Sequence, residues 1–150
     1  MKDTRQDIVI VWFKRDLRLI DHEPLLQAQK LNLPQLLVYC FEPSVMHYDD
    51  SDIRHWRFVY ESLQDLQQQL SLLNARIAIF YQEAHFVFKS LQATYNIKAV
   101  FSHQETGNKL TYDRDIEIQK YFDAQQIPWH EYQQNGVIRK LRSRKNWASL

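Results

Sequence analysis

Apolar and polar positions along this chain fall into two alternating rhythms. Short runs rich in Ile, Val, Phe, Tyr and Leu occur at 7–13, 35–41, 76–81, 98–103 and, more briefly, 128–132. Such runs read as β-strands. Residues 8–13 are apolar without a break, the pattern of a strand covered on both faces. Between the strands the period lengthens. One helix opens near Pro24, a residue favoured in a first turn, and carries Leu25, Leu26 and Ala28. The next spans about 51–73. Its Trp56, Val59, Leu63, Leu66, Leu70 and Leu73 are spaced 3, 4, 3, 4, 3, one buried stripe, against a polar face of Gln64, Asp65, Gln67 and Gln68. Fewer than three heptads between strands favours packing on a sheet over a coiled coil. A third helix covers about 83–95, with Phe86, Phe88, Leu91 and Tyr95 apolar, and a fourth begins near Thr111. Thr111 is suited to an N-cap, and Asp113 and Asp115 to the positive end of the helix dipole. Alternation of this kind implies an α/β fold: a doubly wound, five-stranded parallel sheet, Rossmann-like, in three α/β/α layers.

The chain has 150 residues, the size of one domain. A net charge of +1 restricts any nucleic-acid contact to a local patch. The single cysteine, Cys40, lies in an apolar run and reads as a buried, inert thiol; alone it excludes a thiolate-rich metal site. His22, His47, His55, His85, His103 and His130 are not grouped at metal-ligand spacings, and no metal is expected. With only Gly107 and Gly136, the glycine-rich dinucleotide fingerprint and the phosphate loop are both excluded. The polar start and the lack of a long apolar run predict no secretion signal and no membrane span, with the cytoplasm as the default compartment.

Candidate chemistry sits where strands end. Lys14, Arg15, Asp16 and Arg18 follow the first strand at once. In an open parallel sheet, ligands lie beyond the carboxyl ends of the strands at the switch point. If the fourth strand neighbours the first, then His103, Glu105 and Asn108 face that cluster, and a carboxylate among cations can orient a polar heterocycle by hydrogen bonds. Blander readings stand beside this one: a solvated turn at 14–18, and a Glu105 that merely closes a loop by pairing with an arginine. Trp56 reads as core, with a ligand platform as the alternative. After Tyr132 the character changes. Residues 133–136 signal a turn, and five cations fall between 139 and 145. Phosphate contact and a wrapping linker are both open for them. Residues 1–132 are expected to form the domain, and 133–150 to begin a connection to something absent.

Three segments resemble the photolyase/cryptochrome family: VWFKRDLRLIDHEPL at 11–25, HQETGNKLTYDRD at 103–115 and QNGVIRKLRSRKNW at 134–147. The resemblance implies the N-terminal α/β domain, which commonly holds a light-harvesting antenna, methenyltetrahydrofolate or an 8-hydroxy-deazaflavin. It implies a C-terminal helical domain, absent here, that binds FAD and damaged DNA. The parent would be a deoxyribodipyrimidine photolyase, a lyase that splits pyrimidine dimers in light, or a cryptochrome photoreceptor. This fragment alone would be inactive and prone to self-association. Lys14, Arg15, Asp16, Arg18, His103, Glu105 and Asn108 become candidate chromophore contacts, with Glu105 the best match to the acidic residue that holds the pterin in folate-binding members. Thr106 and Gly107 depart from several of those members. A free-standing nucleotide-binding domain is the main rival. A phosphoacceptor receiver fits worse, because Lys14-Arg15 and Gln82-Glu83 stand where it needs acids.

Overall fold

The computed structural model describes residues 3–134. Its elements run β1 (Asp7–Phe13), α1 (Glu23–Gln29), β2 (Gln35–Phe41), α2 (Pro43–Met46), α3 (Ile53–Ser71), β3 (Ile77–Tyr81), α4 (Ala84–Thr94), β4 (Asn96–His103), α5 (Lys109–Ala124) and β5 (Trp129–Tyr132). The five strands form one parallel sheet in the order β3-β2-β1-β4-β5. The chain winds outward from β1 to β3, then returns to lay β4 along the other side of β1. The switch point therefore lies between β1 and β4, the loops expected to face each other.

β1 is central, and its side chains supply both layers of core. Ile8, Ile10 and Trp12 pack with Val87, Phe88, Ile118 and Phe122 of α4 and α5. Val9, Val11 and Phe13 pack on the other face with Ala28 of α1 and Val59, Leu63, Leu66 and Leu70 of α3. This two-sided burial is why the strand carries no outward polar alternation. At the outer edge, β3 is guarded by Gln67 of α3. Its side-chain oxygen accepts from Ile77 N at 3.0 Å, satisfying an edge group that no strand covers.

The helices depart from the sequence reading in four places. α3 stops at Ser71, and Asn74 turns the chain at φ 53°, so Leu73 falls past the buried stripe and is 69% exposed. On α4 the buried face is Ala84, Val87, Phe88 and Leu91, while Phe86 points to solvent at 56% exposure. α5 begins three residues earlier than expected. Asn108 is the cap, its side chain accepting from Thr111 N at 3.0 Å, and Thr111 is buried inside the first turn. Asp113 and Asp115 thus lie beyond the first turn and meet side chains instead of the dipole. The four-residue α2 is too short to show periodicity and was not expected. Cys40 is buried as expected, with burial pushing its thiol well above the ordinary range. Gly136 and the basic stretch 139–145 lie outside the described residues, as does nearly all of the expected connection at 133–150. Among the described residues no helix is long and apolar enough to cross a membrane.

The end of α3 yields a paired test. Leu66→Ala empties a fully packed position and should cost about 3 kcal/mol of unfolding free energy. Leu73→Ala, outside the stripe, should stay within about 0.5 kcal/mol. Urea melts of the two variants check both values.

Candidate functional site

Beyond the carboxyl ends of β1, β2 and β4 lies a cleft of about 590 Å³. Lys14, Arg15 and Arg18 line it from the loop after β1, Glu105 and Asn108 from the loop after β4, Tyr39 and Glu42 from the end of β2, and Trp56 from α3. Its walls therefore combine aromatic faces with both signs of charge.

Glu105 is the hub. Its carboxylate accepts from Arg15 Nε at 3.0 Å, from the backbone N–H groups of Thr106 and Gly107 at 3.0 and 2.7 Å, and from Arg114 Nη2 at 3.0 Å. Arg114 of α5 also pairs with Glu42 and, at 2.9 Å, with Asp115. Lys14 completes the cluster. Its ammonium lies 3.0 Å from Asp115 Oδ2 and over the indoles of Trp12 and Trp129, at 4.2 and 5.2 Å from the ring centroids. Lys14, Arg15 and Arg114 thus meet Glu42, Glu105 and Asp115, and the charges balance.

Titration follows these surroundings. Burial pulls Glu105 upward, but Arg114, Lys14 and Arg15 outweigh it and hold the carboxyl below the usual glutamate range. At Glu42 burial wins over Arg114, and its carboxyl is raised. Burial lowers Lys14, against the pull of Asp115. Burial likewise opposes the charge on Arg114, yet Glu42, Asp115 and Glu105 reverse the effect and raise it.

Asp16 and His103 are not in the cleft lining. They form a separate buried knot behind it with His22. Asp16 Oδ2 lies 2.6 Å from both His22 Nε2 and His103 Nδ1, and Oδ1 accepts from Lys14 N at 2.7 Å. Three buried residues with ligand atoms this close resemble a metal-binding set. The hydrogen bonding argues otherwise. His22 Nδ1 caps α1 by accepting from Leu25 N at 3.2 Å, which puts the ring proton on Nε2, close to Asp16 Oδ2 although not in line for a hydrogen bond. That nitrogen has no lone pair to offer a cation. The knot fastens the loop after β1 to the end of β4. Burial pulls Asp16 upward, but the hydrogen bond from His103, the close His22 ring and the Lys14 N–H overcome it and hold the carboxyl far below its ordinary range.

The remaining expected residues have structural tasks as well. Arg18 donates through Nε and Nη2 to Asp21 O at 3.1 and 2.9 Å, bracing the loop at the mouth of the cleft. Asn108, besides capping α5, donates to Asp50 Oδ2 at 2.9 Å and so joins the loop after α2 to the loop after β4. Gly107 has no room for a side chain: a Cβ there would meet Arg15 Nη2 at 2.4 Å, Thr111 Oγ1 at 2.7 Å and Glu105 Oε1 at 2.8 Å. Sequence reasoning missed Arg114, Glu42 and the cleft position of Tyr39. It read Trp56 as core, and the indole does both, packing on the α1/α3 side of the core and lining the cleft. The one sequence signal for Arg114 was its place between Asp113 and Asp115.

These observations converge with comparisons to known proteins. The DNA photolyase family profile matches residues 9–146, and the chain belongs to that family. It is 32% identical over 114 residues to a cryptochrome DASH of Synechocystis, covering 72% of this chain and 23% of that protein. The chain spans about a quarter of the length of such curated relatives. A crystal structure of Synechocystis cryptochrome superposes with a TM-score of 0.79 at 25% identity, over 88% of this chain and 28% of the other. An archaeal photolyase from Sulfolobus tokodaii, described with two FAD molecules and an implied novel light-harvesting cofactor, gives 0.79 at 20% identity over 95% and 34%.

The Asp16 knot sets an acid limb to stability. A carboxyl depressed by folding contributes above its unfolded pKa of about 4 and loses that contribution as pH falls toward the folded value. Asp16→Asn should therefore be clearly destabilised at pH 7, and its deficit relative to wild type should shrink steadily below about pH 4. Chemical denaturation across that range measures the gap.

Proposed function

We propose that this chain is the chromophore-holding N-terminal domain of a longer light-driven flavoprotein, the antenna domain of a deoxyribodipyrimidine photolyase. The carrying observation is the cleft at the β1/β4 switch point, walled by Trp56 and Tyr39 and rimmed by Arg15, Arg18 and Asn108. Its volume suits one planar heterocycle, since small-molecule sites run roughly 300–1,000 Å³. The light-harvesting cofactor implied for the Sulfolobus photolyase, which shares this fold, supports the same use.

When bound, such a pigment absorbs near-ultraviolet or blue light and passes excitation to reduced FAD in the helical domain. The residues of this chain hold and orient it. Resonance transfer depends on distance and dipole orientation, so the cleft must be stiff. The cluster around Glu105 supplies that stiffness by locking Arg15 and Arg114 in place. This assigns Glu105 as a positioning residue for the rim, because its oxygens are already engaged by protein donors, and leaves the guanidinium of Arg15, whose side chain is half exposed, to face the occupant. Lys14, Asp16 and His103 act in the same way from below.

A cryptochrome photoreceptor is the second reading, favoured by the identity to cryptochrome DASH. It shares the pigment site and differs in what the flavin does next. The scarcity of glycine at the strand ends weighs against a free-standing nucleotide-binding domain. In either reading, FAD and damaged DNA engage the part of the parent protein outside this chain, and the fragment alone should repair nothing.

The full-length parent should be reconstituted separately with methenyltetrahydrofolate and with 8-hydroxy-deazaflavin, and pigment absorbance and repair of a pyrimidine-dimer oligonucleotide measured. One pigment should bind stoichiometrically and raise repair at its own absorption band; failure of both to bind would refute the antenna role. Repair with no response in signalling assays would favour photolyase, and the reverse cryptochrome. Glu105→Gln and Gly107→Ala should each reduce pigment occupancy, about tenfold for Glu105→Gln if one charge-assisted contact is lost. Repair driven through FAD alone should persist in both.

A further inference from the structure

The cleft contains a polar group that the protein itself leaves unused. Tyr39 lies near the end of β2 with its ring in the α1/α3 core, 5.0 Å from the ring of Phe41, and is only 6% exposed. The residue lines the cleft. Its hydroxyl has no hydrogen-bond partner among the described residues, while nearly every other polar side chain around it is engaged. Glu42 is held by Arg114 and by Ala84 N, Glu105 by Arg15 and Arg114, Asn108 by Asp50 and Thr111, and the Trp56 indole N–H by Ser51. The hydroxyl keeps some access to solvent at the cleft wall, where water meets its hydrogen-bonding need while the cleft is empty. An occupant that displaces that water must offer a partner in its place.

We propose that Tyr39 is a ligand-binding residue whose hydroxyl donates a hydrogen bond to a carbonyl oxygen on the leading edge of a planar heterocycle in the cleft. This rests on the antenna reading and adds the orientation of the pigment to it. The direction of the bond follows from the surroundings. Burial, reinforced by Cys40 and Glu42, raises the phenol well above its ordinary range, so it keeps its proton and can donate. The cleft lining sets Lys14, Arg15, Arg18 and Arg114 against Glu42, Asp50 and Glu105, a positive balance that favours an acceptor-rich edge over a donor-rich one. The carbonyl edge of the ring system therefore points toward β2. The opposite edge is left toward the open mouth at Arg18.

Tyr39→Phe removes only the hydroxyl and leaves the packed ring. The full-length protein and this variant should each be titrated with 8-hydroxy-deazaflavin and with methenyltetrahydrofolate, followed by Raman spectroscopy of the bound pigment. The variant should bind the pigment that wild type accepts about fivefold more weakly, the loss expected for one neutral hydrogen bond. The pigment carbonyl stretch should move to higher frequency, and the melting temperature of the pigment-free protein should not fall. An unchanged affinity and stretch would overturn the Tyr39 assignment while leaving the antenna reading intact. Wild type that binds neither pigment would overturn both. A lower melting temperature without pigment would also overturn the assignment, because the hydroxyl would then already serve the protein.

Discussion

The ion pairs that Glu105 and Arg114 share tie together segments the backbone leaves apart. Sheet hydrogen bonds align β1, β2 and β4, yet they say nothing about the loops beyond. Those loops are set by Arg15 from the first, Glu42 from the second, Glu105 from the third and Arg114 from α5. Removing charges from water is expensive, and a buried pair repays that cost only when its hydrogen-bonding capacity is well used. Here the backbone N–H groups of Thr106 and Gly107 share the load at Glu105, and Lys14 and Asp115 bring the cluster to neutrality. Loss of any one member strands its neighbours, so the geometry of the cleft is tightly specified.

That specification fits the proposed antenna role, in which a pigment must be held at a fixed angle. Aromatic surfaces at Trp56 and Tyr39 provide area without much side-chain entropy, and the charged floor provides a field that does not reorganise. The separate Asp16 knot stiffens the same loop from beneath. Its chemistry is easily mistaken for a metal centre when only residue types and separations are considered. The cap that His22 gives to α1 puts the ring proton on Nε2, the side that faces Asp16, and so turns that nitrogen away from a ligand role.

The fold was largely legible in the sequence because its signals are local and repeated. An unbroken apolar run can only be a two-sided strand here, and the 3-4 spacing on α3 allows one buried stripe. The errors fell where a local signal ended or was shared. Leu73 continued a spacing that the turn at Asn74 interrupts, and Thr111 looked like a cap although Asn108 holds that place. The convergence of Lys14, Arg15 and Glu105 followed from strand order. The part played by Arg114 did not, because its acidic partners are 72 positions back at Glu42 and nine back at Glu105. Neither reading of Glu105 was complete: it closes the loop through arginines, and in doing so it builds the rim. Tyr39 was hidden for a different reason, since nothing in an apolar strand marks which tyrosine lacks a hydrogen-bond partner.

The placement of β4 beside β1 also has a temporal side. Asp7 aligns with Asn96, and Trp12 with Ser102, so the central strand has a permanent neighbour on only one flank until some ninety further residues exist. During synthesis, the emerging polypeptide must carry an open, wholly greasy border through the making of four helices and two strands. Such borders recruit other unfinished chains. Late closure of this kind makes the interval before β4 emerges, more than the finished fold, the stage at which a chaperone is most needed.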